Sequence, residues 1–132
     1  MKAIDTNVLI RFLTGDNPVA QERVLAMFRS AQEQGEMFLV TNPVLIEVLW
    51  VLRSGYSLDR DKILDAFEAL LDAPVLAFES TRHLRQFIQH GRSTNFGLAD
   101  LLIGITARQH GCETTLTFDK KAAQFDLFEE IP

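Results

Sequence analysis

Four of the eighteen acids in this 132-residue chain stand where acids are uncommon: Asp5, Glu47, Asp100 and Asp119. Asp5 closes Lys2-Ala3-Ile4, and Asp119 closes the β-prone run Thr114-Thr115-Leu116-Thr117-Phe118; Glu47 and Asp100 lie inside strongly apolar helical stretches. An isolated ionised carboxylate in such surroundings is costly unless it is paired or metal-bound. Cationic partners are scarce nearby, because no Lys or Arg falls between Val40 and Leu52 or between Asn95 and Ala107. A shared divalent ion is the simplest partner: hard carboxylate oxygens suit Mg²⁺ or Mn²⁺, and without metal the four acids would repel one another.

Each acid also has a plainer explanation. Asp5 can cap the helix that follows it, and Asp119 can cap the turn at Lys120. Glu47 can bond a backbone group or a distant arginine. Asp100 lies near a helix start, where the dipole favours an acid, and Gly104, one turn later on the same face, permits close packing beside it.

The elements that must position these residues alternate along the chain. Lys2–Ile4 reads as the end of a buried parallel strand, where α/β sheets place their chemistry. Further strands are expected at Met37–Val40, Val75–Phe78 and Thr114–Phe118, with a weak edge strand within Phe125–Ile131. A short helix fits 7–13. A second opens at Pro18 and ends at Gln34-Gly35, its apolar side formed by Val19, Val24, Leu25, Met27 and Phe28. Asn42 as cap and Pro43 as first residue introduce a helix over 44–53 that is apolar almost all round and so belongs deep against the sheet, ending at Ser54-Gly55. Asp59 and Asp61 open the next helix, with Ile63, Phe67, Leu70 and Leu71 on one face. Ser80 can cap a helix over 81–90 that stops at Gly91, and a last long helix covers 97–110. This order predicts an α/β fold with a mostly parallel sheet and helices on both faces.

The totals fit one domain over 1–132, since 47% hydrophobic residues are ordinary for a globule of this length. No apolar run reaches a membrane span, and Asp5 and Arg11 break up the amino terminus as a signal peptide, so a cytoplasmic protein is expected. Cys112 is alone, which excludes an internal disulfide, and it is expected to be buried. His83, His90 and His110 lack metal-ligand spacing. A net charge of -5 argues against a surface that binds nucleic acid throughout, although an acidic pocket changes sign once loaded with divalent cations.

Taken together, Ile4-Asp5-Thr6-Asn7-Val8-Leu9-Ile10, Glu47, Leu98-Ala99-Asp100 and Thr117-Phe118-Asp119 resemble the PIN-domain family of metal-dependent ribonucleases, and in order and spacing most resemble the VapC-type toxins of toxin-antitoxin pairs. The resemblance covers essentially the whole chain. It implies a three-layer α/β/α sandwich around a parallel sheet, with Asp5, Glu47, Asp100 and Asp119 at the acidic positions. It also implies Mg²⁺ or Mn²⁺, an RNA substrate, a homodimer and inhibition by a small antitoxin. On that basis Asp5, Glu47 and Asp100 hold one or two divalent ions, with Asp119 completing the site directly or through water, and the metal polarises the scissile phosphate and activates a water. Thr6, Asn7 and Thr117 are candidates to orient ligands or water, although Thr6 and Asn7 also suit a strand-to-helix turn. Arg11, Arg92, Arg108, Lys120 and Lys121 are candidate phosphate contacts. The lead Asn95-Phe96-Gly97-Leu98 departs from the smaller, more polar approach to Asp100 often found in the family.

Three alternatives differ in kind. A haloacid-dehalogenase-like phosphatase would use the first aspartate as a nucleophile in an Asp-x-Asp arrangement, but Asn7 stands at the third position. A receiver domain fits worse, because no acidic pair precedes Asp5. A non-catalytic PIN-like module binding RNA or protein has no use for the complete acid set.

Overall fold

The computed structural model describes residues 1–132, which form two compact units, Met1–Thr81 and Arg82–Pro132. In the first unit, β1 (Lys2–Ala3), β2 (Phe38–Val40) and β3 (Leu76–Phe78) make a three-stranded sheet in the order β1-β2-β3, parallel throughout. Ala3 pairs with Leu39 and Val40 with Phe78. The bond from Ile4 N to Leu39 O (3.0 Å) carries the pairing to the residue just before Asp5.

This unit has the helices α1 (Thr6–Leu13), α2 (Pro18–Gln34), α3 (Asn42–Trp50) and α4 (Arg60–Asp72), of which α1, α2 and α4 follow their sequence signals. Asn17 caps α2 through a bond from Ala20 N (3.1 Å), and Asp59 caps α4 through one from Lys62 N (3.0 Å). Gly35 ends α2 at φ 70°, a left-handed cap suited to glycine. The apolar side of α2 is narrower than expected: Val24, Phe28 and Ala31 are buried at i, i+4, i+7 spacing, whereas Val19, off that stripe, is 75% exposed, and Met27 is exposed too.

The third helix corrects the sequence expectation twice. Its cap is Thr41, without a side-chain bond, and the Asn42 amide instead donates to the Glu79 carboxylate. Leu45, Val48 and Leu49 are buried, but Pro43, Glu47 and Trp50 form an exposed stripe, so α3 is not enclosed on all sides. Where Ser54-Gly55 was expected to break the chain, the helix widens into a π turn over Val51–Gly55, closed by Tyr56 N on Val51 O (3.2 Å). Arg53 in that turn lies 4.4 Å from the centre of the Trp50 ring, a cation–π pair at the surface.

The second unit holds α5 (Thr81–Ser93, opening at the boundary), α6 (Leu98–Gln109), β4 (Thr115–Thr117) and β5 (Phe128–Glu130). β4 and β5 pair in parallel as a separate two-stranded sheet, with Thr117 opposite Glu130. α5 runs on through a buried Gly91, and Thr94 ends it by donating its Oγ1 to His90 O (2.8 Å). Phe96 is buried against Phe125, their ring centres 3.8 Å apart, which gives the unusual lead into α6 a packing reason. Cys112 is exposed, contrary to expectation, because the chain has left α6 and turns through Gly111 at φ 83°. No helix is long and apolar enough to cross a membrane.

Candidate active site

Asp5 stands at the corner between β1 and α1, with extended backbone angles, and its Oδ1 accepts from Thr6 N at 2.8 Å. Capping therefore occupies one carboxylate oxygen, and the other accepts no hydrogen bond from the protein. Next to it, Thr6 is only 4% exposed, and its Oγ1 is buried with no partner in the protein. Nothing in the sequence marks that orphaned hydroxyl. Asn7 is exposed, on the rim of a groove between α1 and α2.

Arg11 is already engaged: its Nη1 lies 3.2 Å from Asp16 Oδ1. Asp16 also receives Tyr56 OH on Oδ2 (2.7 Å) and Thr14 Oγ1 on Oδ1 (2.8 Å). The Tyr56 and Thr14 hydroxyls, with the nearby Arg11 charge, hold the Asp16 carboxyl below its usual range. A phosphate contact by Arg11 thus competes with this network.

Glu47 is exposed and has neither a hydrogen bond nor an ion pair. The cost of burial therefore supplies no reason for a metal at this residue, nor at Asp5 or Asp119, which are exposed as well. What survives is the absence of a cationic partner.

In the second unit Asp100 is the half-buried acid, the third residue of α6 after the Gly97 cap, and it too has no hydrogen bond or ion pair. A Cβ on Gly97 would come within 3.3 Å of Asp100 Oδ2, so the carboxylate folds back over the first turn of its own helix. The unpaired N–H groups there favour an anion. Gly104 does not serve Asp100: a Cβ at that position would meet Phe128 at 2.9 Å and Leu127 at 3.1 Å, so its smallness admits the chain at β5.

Asp119 follows β4, and its Oδ1 accepts from Lys121 N (2.9 Å) and Ala122 N (3.3 Å). Thr117 Oγ1 in turn accepts from Asp119 N (3.0 Å), so Thr117 fixes the corner that presents this acid. Lys120, Lys121 and Arg92 are exposed. Arg108 donates from Nη2 to the Asp126 carbonyl (3.0 Å).

Asp5 and Glu47 thus belong to the first unit and Asp100 and Asp119 to the second, and no group of three or more His, Cys, Asp or Glu side chains is placed to hold a metal ion. The donor chemistry nevertheless suits Mg²⁺, which keeps several waters and is usually held by one or two carboxylates with substrate phosphates rather than by an all-protein cage.

The chain is similar to a VapC ribonuclease of Aquifex aeolicus (strain VF5), with 26% identity over 121 residues that cover 92% of this chain and 89% of that protein. The PIN domain family matches residues 2–127, a stretch that contains all four acids and every helix. With parallel strand pairing throughout and helices between the strands, the fold is of the three-layer α/β/α class, and the chain belongs to the PIN-domain family.

Proposed function

We propose that the protein is an endoribonuclease of the VapC type, hydrolysing RNA phosphodiester bonds with Mg²⁺ or Mn²⁺ at Asp5, Glu47, Asp100 and Asp119. The observation that carries this reading is that the family match contains four carboxylates with no cationic partner. Likeness to a VapC ribonuclease over most of both chains supports the activity. With that reading go, as parts of the same proposal, a single working domain over 1–132, a cytoplasmic setting, a homodimer and a small antitoxin as partner. A phosphatase of the haloacid-dehalogenase type draws no support from the family match.

When bound, the metal supplies a Lewis acid for the phosphate and lowers the pKa of an attacking water. The chain's own contribution is positional. Asp5 keeps one oxygen on the Thr6 amide, which fixes the direction of the other. The amides of Lys121 and Ala122 hold Asp119 Oδ1 in the same way, and Thr117 Oγ1 holds the Asp119 backbone N–H.

The deciding experiment compares RNA cleavage by the wild type with Mn²⁺, by the wild type with EDTA, and by Asp5→Asn. Activity is expected only in the first. Cleavage that survives both chelation and the substitution sinks the metal-dependent mechanism.

Thr6 gives a second test. Thr6→Val removes a buried hydroxyl without a partner and keeps the shape, so stability should rise by about 1 kcal/mol. If the hydroxyl orients a water or ligand beside Asp5, cleavage should fall by about 10-fold or more. Thermal melts and initial rates on one preparation read both effects, and a stabilised variant with full activity would reduce Thr6 to a turn former.

A further inference from the structure

The chain is acidic overall, but its charge is segregated. From Ser80 to Ala99 there is no Asp or Glu, while Arg82, Arg85 and Arg92 and the histidines His83 and His90 all fall there. The stretch is mostly α5, whose buried side is Leu84, Phe87 and Ile88. Arg82 and His90, spaced i, i+8, share a helix face, and that face lines a cavity of about 420 Å³ inside the second unit. None of the four acids lines it.

The helix α6 contributes Ile105 and Arg108 to the lining, Phe125 joins from the chain beyond it, and Ile105 and Phe125 make the apolar floor. Arg108 is held by a backbone carbonyl, that of Asp126, an acceptor that positions the guanidinium without cancelling its charge. Arg82 is exposed and makes no hydrogen bond or ion pair. One carboxylate, Asp126, lies on the rim, so two guanidiniums and two imidazoles face a single acid. The size falls within the range of small-ligand clefts, about 300–1,000 Å³, and is too small for a docked helix.

Two guanidiniums beside an apolar and aromatic floor match a phosphate attached to a planar base: arginine forks pair with phosphate oxygens, and bases rest on aromatic or apolar side chains. An acidic peptide would use the cations but leave the floor at Ile105 and Phe125 unused. We propose that this cavity binds a nucleotide through its phosphate, and that it anchors the RNA chain at a place separate from the acids. The anchoring role rests on the nuclease reading; the nucleotide binding does not.

The test uses the full chain carrying Asp5→Asn, so that RNA remains intact, with AMP, inorganic phosphate and a single-stranded oligoribonucleotide as probes. Amide NMR shifts at Ile105, Arg108, Phe125 and Asp126 should move with AMP and move less with inorganic phosphate at equal concentration. Arg82→Gln, at an exposed and unpartnered position, should weaken AMP binding by about tenfold or more without unfolding the protein. RNA should displace AMP and lose affinity in the same variant. Unmoved amides, or equal AMP affinity in Arg82→Gln, overturn the proposal. AMP that RNA does not displace overturns the anchoring role and leaves a free nucleotide as the ligand. If the wild type binds AMP here yet cleaves no RNA with Mn²⁺, the nuclease reading fails and the cavity stands.

Discussion

Replacing Asp100 by asparagine is expected to lower RNA cleavage by about 10³-fold while changing metal-free stability by less than about 1 kcal/mol. The two effects separate because the proposed site gives the residue a second role, larger than its place in the helix. As an acid in the first turn of α6, with its carboxylate folded back toward Gly97, Asp100 interacts favourably with the helix N-terminus. That interaction is worth about 0.3–1 kcal/mol, and asparagine keeps the shape. As the proposed metal ligand the same group would supply a full negative charge where the reaction needs it, and asparagine would not replace that.

A second readout distinguishes ligand from bystander. A metal that binds only the folded state raises stability by RT ln(1 + [L]/Kd), about 2.7 kcal/mol at a hundredfold excess over Kd. Wild-type melts should therefore shift upward with Mg²⁺ or Mn²⁺, and those of Asp100→Asn should not. Full cleavage by the variant would remove Asp100 from the site. Lost cleavage with the metal shift intact would make it a positioning residue.

Much of the architecture is legible in the sequence because its signals are local. Asn17-Pro18, Asp59 and Gly35 mark helix ends through caps that act within a few residues, and all three do so in the structure. The corners at Asp5 and Asp119 are visible for the same reason, since an apolar or β-prone run halts at an acid and a turn follows. What the sequence hides is either direction or distance. Apolar residues surround Glu47 in sequence, yet periodicity puts it on the outer stripe of α3 with Trp50, so neighbours along the chain misstate its surroundings. The Asp16 network depends on Tyr56, forty residues away, and no local pattern announces such a tie. The α5–α6 cavity joins residues far apart along the chain, and only the fold brings Arg82 and Arg108 to one lining.

Gly104→Ala shows the same limit as a stability effect, with a sign that helix propensity alone gets wrong. Alanine in a helix interior is favoured over glycine by about 1 kcal/mol, so propensity predicts a stabilised protein. The added methyl would stand 2.9 Å from Phe128 Cε2 and 3.1 Å from Leu127 Cβ, both residues being buried. Leu127 Cβ is fixed to the backbone, and the Phe128 ring is packed against Phe96 with centres 5.8 Å apart, so neither yields without moving β5. Overpacking of this kind costs about 1–3 kcal/mol, which outweighs the propensity gain except at its lower end. Denaturant melts should show Gly104→Ala destabilised. Phe128→Ala alone should cost about 3–5 kcal/mol, but in that background the alanine at position 104 gains room. The double variant should then be more stable than the sum of the two single effects, by about 1 kcal/mol or more. Strict additivity would mean that the contact with the Phe128 ring is not what keeps position 104 a glycine.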